Sequence, residues 1–271
     1  MTTEESSTTH GRLLPFERCD AAANMAIDEA IAEAVATQCV APTLRFYGWS
    51  RPTLSLGYFQ AIADASPWAN LPVDIVRRST GGGAILHDLE LTYSLSLPLT
   101  DAGPGAREGV YQTVHQCVID TLRSIGVTAV PYRDTAPAAE AKTQDATRAI
   151  ASGLRSKRDE PFLCFQRRTD EDLICSGYKI LGSAQRRVRG GVLQHGSLLL
   201  QVSKFAAELP GVAELTAVFF EPAAIANSIA ERIGRAMSID WQLGELTADE
   251  QDASRRIQRQ RYAAAEWTER R

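Results

Sequence analysis

Apolar residues recur along this chain in two rhythms, and the switches between them mark its predicted elements. Behind Asp20, an acceptor suited to an N-cap, Ile27, Ala30, Ile31, Ala34 and Val35 return at helical spacing. Short extended runs follow, "TLRFYGW" and "TLSLGYF", with Ser50-Arg51-Pro52 as a turn between them. "DIVRRS" and "GAILHD" read as strands on either side of three glycines, and "LTYSLSLPL" alternates from Leu91 to Leu99 as a half-buried strand. A second helix carries Val110, Val114, Cys117, Val118, Leu122 and Ile125 and ends at Gly126; His115 falls on its exposed face.

Residues 133–160 are rich in Ala, Thr and charge without a sustained apolar face, which predicts a mobile surface segment. "PFLCFQ" reads as extended, with Phe162 and Cys164 on one face and Leu163 and Phe165 on the other. "DLICSGYKILGSAQRR" predicts a hairpin turning at Ser-Gly, and "GGVLQHGSLLLQV" a further strand. From Glu221 the chain turns helical, with Ile225, Ile229, Ile233 and Met237 at intervals of four, and a basic tail helix carries Trp267. No repeat or linker divides the pattern. It predicts one α/β domain (α+β in the sense of a mixed sheet covered by helices).

Charge narrows the function. The 271 residues hold 29 basic and 33 acidic side chains, a net charge of −4, so nothing draws the chain as a whole to nucleic acid. Residues 1–11 read as a flexible polar leader without the basic and apolar regions of a secretory signal, and no run is long enough to span a bilayer. A cytoplasmic protein with no membrane partner is expected. Five cysteines without a CxxC pair, and four histidines without zinc-ligand spacing, predict neither disulfides nor a bound metal.

The chemistry concentrates in three stretches. "RRSTGGGAILHD" sets Arg77 and Arg78 beside Ser79 and three glycines, Gly81, Gly82 and Gly83, followed by His87. Glycines permit positive φ and close approach of another molecule to the main chain, and the arginines suit an anion or a polar carbonyl. ATP fits, and so does an acyl chain on a phosphopantetheine arm. The stretch is neither a Walker A sequence nor GxGxxG. "GYKILGSAQRRVRGG" adds Lys179 and a small corner, Gly182, Ser183, Ala184 and Gln185, as the second wall of one narrow slot. Its arginines, Arg186, Arg187 and Arg189, would suit an acidic carrier protein. "LQHGSLLL" supplies His195, with Gly196 and Ser197 as donors toward an oxyanion. Taken alone, a cysteine in an apolar run such as Cys164 is more often a small core residue than a nucleophile.

These three stretches, in this order, resemble the signatures of the lipoate-protein ligase/octanoyltransferase group of the biotin and lipoate ligase superfamily. "NMAIDEAI", "LSLGYFQ" and "RYAAAEW" are similar to the same group, so the resemblance spans residues 12–269. It implies a single catalytic domain that attaches octanoyl or lipoyl groups to a lysine of lipoyl-carrier domains, such as the glycine cleavage H protein or the E2 subunits of 2-oxoacid dehydrogenases. The group holds two chemistries. Its ligases activate a free acid with ATP. Its Cys-type octanoyltransferases take the acyl group from acyl carrier protein through an enzyme thioester and need no cofactor.

Cys164 matches the "CF" cysteine of that second branch and Lys179 its lysine, although "QRRTDEDLI" replaces the usual stretch after the cysteine. A free thiol titrates near 8.5 and apolar surroundings raise it, so the Lys179 ammonium is the expected stabiliser of a thiolate. Cys19, Cys39, Cys117 and Cys175 keep the reading of structural thiols. Three other readings stand beside octanoyl transfer: an ATP-dependent ligase, an amidotransferase between lipoyl domains, and a binding module without turnover.

Overall fold

A computed structural model describes residues 8–98, 106–135 and 161–271. The greater part of the predicted leader (1–7) and of the predicted mobile segment (136–160) lies outside the described residues. β1 (Thr9–Cys19) leads into α1 (Ala21–Ala36), followed by β2 (Thr43–Trp49), β3 (Thr53–Leu56), β4 (Asp74–Arg77), β5 (Ile85–His87) and β6 (Glu90–Pro98). Next come α2 (Ala106–Ser124), β7 (Val130–Pro131), β8 (Leu173–Cys175), β9 (Tyr178–Val188) and β10 (Gly191–Leu199). α3 (Val212–Thr216), α4 (Pro222–Met237), β11 (Ile239–Leu243), α5 (Ala248–Ile257) and α6 (Ala265–Thr268) complete the chain.

Local chemistry sets these boundaries. Asp20 Oδ1 accepts from the Ala23 amide at 2.8 Å and caps α1 as its position predicts. Ser176 at φ 48° and Gly177 at φ 82° form the two-residue turn between β8 and β9, where both positions need positive φ.

The large sheet runs β11-β1-β2-β6-β10-β9-β8-β7, parallel across β11, β1 and β2 and antiparallel from β2 onward. A small sheet, β4-β3-β5, stands apart. Both faces of the large sheet are covered, and β2 shows how. Leu44 and Phe46 pack with Val114, Val118 and Leu122 of α2 and Ile225, Ile229 and Ile233 of α4. Tyr47 and Trp49 pack instead with Ala21, Met25 and Ala26 of α1. Alternate residues of a strand point to opposite faces, so α1 lies across the sheet from α2 and α4.

β6 corrects one expectation. It is buried on both faces from Glu90 to Ser96, because α1 covers its polar side: Ser94 Oγ donates to Asp28 of α1 at 2.8 Å. Asp28 also takes Arg45 at 2.9 Å and the Tyr47 hydroxyl at 2.7 Å. Alternation with polar residues therefore marks an apolar face and a hydrogen-bonded face, not a wet one. A second correction concerns the leader. Thr9, His10 and Gly11 are already strand, paired with Ile239, Asp240 and Trp241 of β11.

Candidate active site

The glycine loop joins β4 to β5, and Arg77 and Arg78 leave its start in opposite directions. Arg78 is buried under the loop. Its Nη1 donates to the Ser55 carbonyl at 2.9 Å, and its Nη2 to the carbonyls of Gly81 at 2.8 Å and Gly83 at 2.7 Å. Burial lowers its pKa only to about 10, so it keeps its charge at neutral pH while holding the loop's shape. Arg77 does not line the cavity. It donates to the Gln60 carbonyl at 2.6 Å and the Thr268 carbonyl at 2.7 Å, tying β4 to the chain's end. Ser79 also faces away, toward the Tyr262 hydroxyl.

Part of the close approach that the glycines permit is used by the chain itself. Gly82 adopts φ 96°, and a Cβ on Gly57 would lie 2.0 Å from the Gly82 carbonyl oxygen. A Cβ on Gly83 would lie 3.0 Å from both the Cys164 amide nitrogen and the Phe162 carbonyl oxygen. Gly83 thus admits the turn that carries Cys164.

That turn is not the extended run expected of "PFLCFQ". Leu163 bridges to Ala84, with the Cys164 amide donating to the Ala84 carbonyl at 2.7 Å, and the chain then closes a 3-10 turn over Cys164–Gln166. Leu163 and Phe165 are buried while Cys164 stays half-buried against the cavity. Lys179 of β9 reaches it across the β8–β9 hairpin. Its Nζ donates to the Cys164 carbonyl at 3.2 Å and to Sγ at 3.6 Å, and pairs with the Asp172 carboxylate at 2.9 Å. The Asp172 carboxylate also accepts from the Thr169 amide at 2.7 Å, so the group that holds the ammonium is itself held. Gly182 makes the space: a Cβ there would lie 2.6 Å from Lys179 Cε.

The opposite wall is a directed chain of hydrogen bonds. His115 Nδ1 lies 2.7 Å from the Glu171 carbonyl, which only accepts, so Nδ1 carries the proton and Nε2 accepts from Ser183 Oγ at 2.7 Å. Ser183 Oγ in turn accepts from the Tyr93 hydroxyl at 2.7 Å, Tyr93 from Gln194 Nε2 at 2.8 Å, and Gln194 from Gln185 Nε2 at 2.7 Å. His115 was expected on an exposed helix face, yet it is 2% exposed, and burial pushes its pKa down to about 3. Its signal was present in the sequence. Tyr111, His115, Val118 and Leu122 form a stripe at spacings of four, three and four, the same rhythm as the apolar face. Asp172 was missed because only the hairpin's register brings it to Lys179.

Both predicted pocket histidines line the cavity, and neither hydrogen-bonds Cys164. His87 Nδ1 meets Glu90 Oε1 at 2.5 Å and its Nε2 meets Ser55 Oγ at 2.8 Å, beneath the Trp49 ring at 4.0 Å. His195 Nε2 meets Thr80 Oγ1 at 2.8 Å, and burial pushes its pKa down to about 4. Arg78, Gly81 and Gly82 form one wall with Cys164, and Gly182, Ser183, Ala184, Gly196 and Ser197 the other; Met25, Tyr47, Trp49 and Ile85 supply apolar surface. Gly83 and Gln185 stand behind these walls, supporting them. The cavity holds about 60 Å³, and the space free of atoms, open solvent at its mouth included, is about 500 Å³. Its combination of an apolar interior with a thiol and an ammonium on the wall suits an acyl thioester.

Away from the cavity, burial raises the thiol pKa of Cys19 and Cys175, and that of Cys117 to about 11, in keeping with unreactive roles. Arg186 lies 3.5 Å from Glu29, whose carboxylate also pairs with Arg261. Among the described residues no group of three or more His, Cys, Asp or Glu is placed to hold a metal ion, and no helix is long and apolar enough to cross a membrane.

The family model of the lipoyl protein ligase A/B catalytic domain matches residues 20–239. A protein of Moorella thermoacetica named octanoyltransferase LipM is 34% identical, over 96% of this chain and 98% of its own length. Another of that name from Kyrpidia tusciae is 32% identical, over 94% and 97%. Among solved structures, lipoate-protein ligase A bound with ATP superposes with a TM-score of 0.72 at 22% identity, over 96% of this chain and 98% of that one. A chain from the structural analysis of a bi-partite lipoate protein ligase and its E2 lipoyl domain from Thermoplasma acidophilum gives 0.67 at 21% identity, over 96% of each chain. These structures share the fold expected from the mixed helix and strand pattern. With a family match that covers both walls of the cavity and the turn carrying Cys164, this chain belongs to the lipoyl protein ligase A/B catalytic-domain family.

Proposed function

We propose that the protein is an acyltransferase of lipoate biosynthesis, moving an octanoyl group from acyl carrier protein to a lysine of a lipoyl domain through a thioester on Cys164. One observation carries the reading: Cys164 Sγ faces the cavity with a buried ammonium 3.6 Å away. The name octanoyltransferase borne by relatives 32% and 34% identical supports the acyl group, and a ligase of the same fold described together with its E2 lipoyl domain supports the acceptor class. An H protein is an acceptor of the same chemistry.

In the first half-reaction the Cys164 thiolate attacks the octanoyl carbonyl. The new C–S bond forms as the bond to the carrier's thiol breaks, and that thiol leaves with the proton that Cys164 gave up. In the second, the lipoyl-domain amine attacks the acyl-enzyme, loses a proton, and displaces Cys164 as thiolate. The Lys179 ammonium faces negative charge on sulfur in both steps, and the Arg78 guanidinium, in the same wall as Cys164, adds a second positive charge nearby. The octanoyl chain lies along the apolar surface of Met25, Tyr47, Trp49 and Ile85.

The test is an intact mass after incubation with octanoyl-loaded carrier protein in the absence of ATP. An octanoyl-sized gain that neutral hydroxylamine removes, absent in Cys164→Ala and slowed in Lys179→Ala, is the expected result. Acylation of a lipoyl domain that requires ATP and survives Cys164→Ala would overturn it in favour of the adenylate route. An acyl-enzyme that forms faster from an octanoylated lipoyl domain than from the carrier would make the protein an amidotransferase.

A further inference from the structure

We propose that Arg270 and Arg271, laid over the aromatic pair Tyr58–Phe59 beside the glycine loop, form the docking surface for an acidic carrier protein that presents its acyl group on a phosphodiester-linked thiol arm. The proposal rests on the octanoyl-transfer reading and names where its donor binds.

Four observations describe this surface, which lies beside the glycine loop that forms one wall of the cavity. The Tyr58 amide donates to the Thr80 carbonyl at 2.9 Å, and a Cβ on Gly81 would lie 4.0 Å from the Phe59 ring, so the aromatic pair abuts the glycine loop. Gln60 Nε2 donates to the Phe162 carbonyl at 3.1 Å, two residues before Cys164. Phe59 is 70% exposed, large for an aromatic side chain in a folded domain. The two guanidinium groups are positioned by ring faces: Arg270 lies 4.5 Å from the Tyr58 centroid and 4.7 Å from that of Trp267, and Arg271 lies 5.3 Å from that of Phe59.

Among the described residues neither arginine has a carboxylate within salt-bridge distance, in a chain whose net charge is −4. Burial first, then the charges of Arg270 and Arg271, depress the pKa of Arg77 beneath them, which places both guanidinium charges close to it. A guanidinium stacked by its face keeps its N–H edge for a phosphate or carboxylate. The donor supplies both anions, on its arm and on its surface. The acceptor brings a lysine ammonium to the same entrance, which two uncompensated arginines repel. Arg186, one of the three arginines expected near the slot, lies 3.5 Å from Glu29, a carboxylate it shares with Arg261.

Octanoylation of Cys164 is timed by intact mass with two donors, octanoyl carrier protein and octanoyl-pantetheine, which lacks the phosphodiester and the protein. In Arg270→Glu/Arg271→Glu the rate from subsaturating carrier protein falls roughly tenfold or more and loses its salt dependence, while the rate from octanoyl-pantetheine is unchanged. Phe59→Ala, which leaves both arginines in place, lowers the carrier rate alone and by less. Equal losses with both donors would overturn the proposal, since the arginines would then support the fold. So would an unchanged carrier rate with a raised KM for the lipoyl domain, which assigns the surface to the acceptor. A wild-type enzyme acylated by neither donor would instead overturn the octanoyl-transfer reading itself.

Discussion

Asp172 and Lys179 form an ion pair of 2.9 Å in which each side chain is 2% exposed, and the same ammonium lies 3.6 Å from the sulfur of Cys164. A buried pair of this kind is weak evidence of stability but strong evidence of placement. Two charges taken out of water gain little over an apolar pair, whereas one left alone is costly. Asp172→Asn is expected to destabilise the protein by about 3–5 kcal/mol in urea unfolding and to slow Cys164 octanoylation at least tenfold. Asp172→Leu/Lys179→Met is expected to regain most of the stability and none of the activity. A single variant costing under about 1 kcal/mol would show that the pair is not buried as described.

Gly182 is the second control on Lys179. A Cβ there would lie 2.6 Å from Lys179 Cε and 2.9 Å from Nζ, so the ammonium must move off its line to the sulfur. Gly182→Ala is therefore expected to cut the octanoylation rate about a hundredfold, equivalent to about 2.7 kcal/mol, with the far-ultraviolet circular dichroism unchanged. A rate within threefold of wild type would mean that the lysine's position does not limit the chemistry.

Much of this site could be read before folding, and its gaps have a common origin. Lys179, the small corner at Gly182 and the loop at Gly81 were legible because each sits in a stretch whose residue types have a local reason, whereas Cys164 stood out only through the family resemblance, its apolar run alone reading as core. Arg77 and Arg78 were not separable, since adjacent positions look alike in sequence while a strand sends them to opposite sides. Asp172 and Tyr93 enter the site through strand register, a relationship between distant segments that one sequence does not display. His115 was misplaced because a polar residue within an apolar stripe was assigned to water. Its partner Ser183, on another strand, is what makes its burial tolerable.

Two histidines, His115 buried and His195 half-buried on the cavity wall, make stability fall in acid. In the folded chain burial holds His115 down to about 3 and His195 to about 4, whereas an unfolded histidine titrates near 6.5. Below 6.5 the unfolded state binds more protons, so their contribution is complete above that pH and is lost as pH falls toward 4 and 3. Between pH 7 and pH 5 His115 accounts for about 2 kcal/mol, and the half-buried His195 for no more than that. Urea unfolding at the two pH values measures the difference, and His115→Gln is expected to remove at least half of it. A difference unaffected by that substitution would place the acid sensitivity elsewhere.

Arg77 predicts how the chain's end is kept in place. Its Nε and Nη2 both reach the Thr268 carbonyl, at 3.0 and 2.7 Å, while Nη1 holds the carbonyls of Gly57 at 3.0 Å and Gln60 at 2.6 Å. The exchange is reciprocal, because Trp267 Nε1 donates to the Arg77 carbonyl at 2.7 Å. One buried guanidinium thus binds β4, the Gly57–Gln60 turn and α6 into a unit, and it is this unit that brings Arg270 and Arg271 over Tyr58. Arg77→Met leaves three carbonyls without their charged donor and is expected to cost about 2–4 kcal/mol. The loss should be local before it is global: trypsin is expected to cut the variant between Arg255 and Arg261 under native conditions faster than it cuts wild type. Octanoylation from carrier protein should then fall further than octanoylation from octanoyl-pantetheine, since the tail that carries the arginines is released while Arg78 still holds the glycine loop. A variant as resistant to trypsin as wild type would mean that Trp267 and the ring contacts suffice to hold the tail.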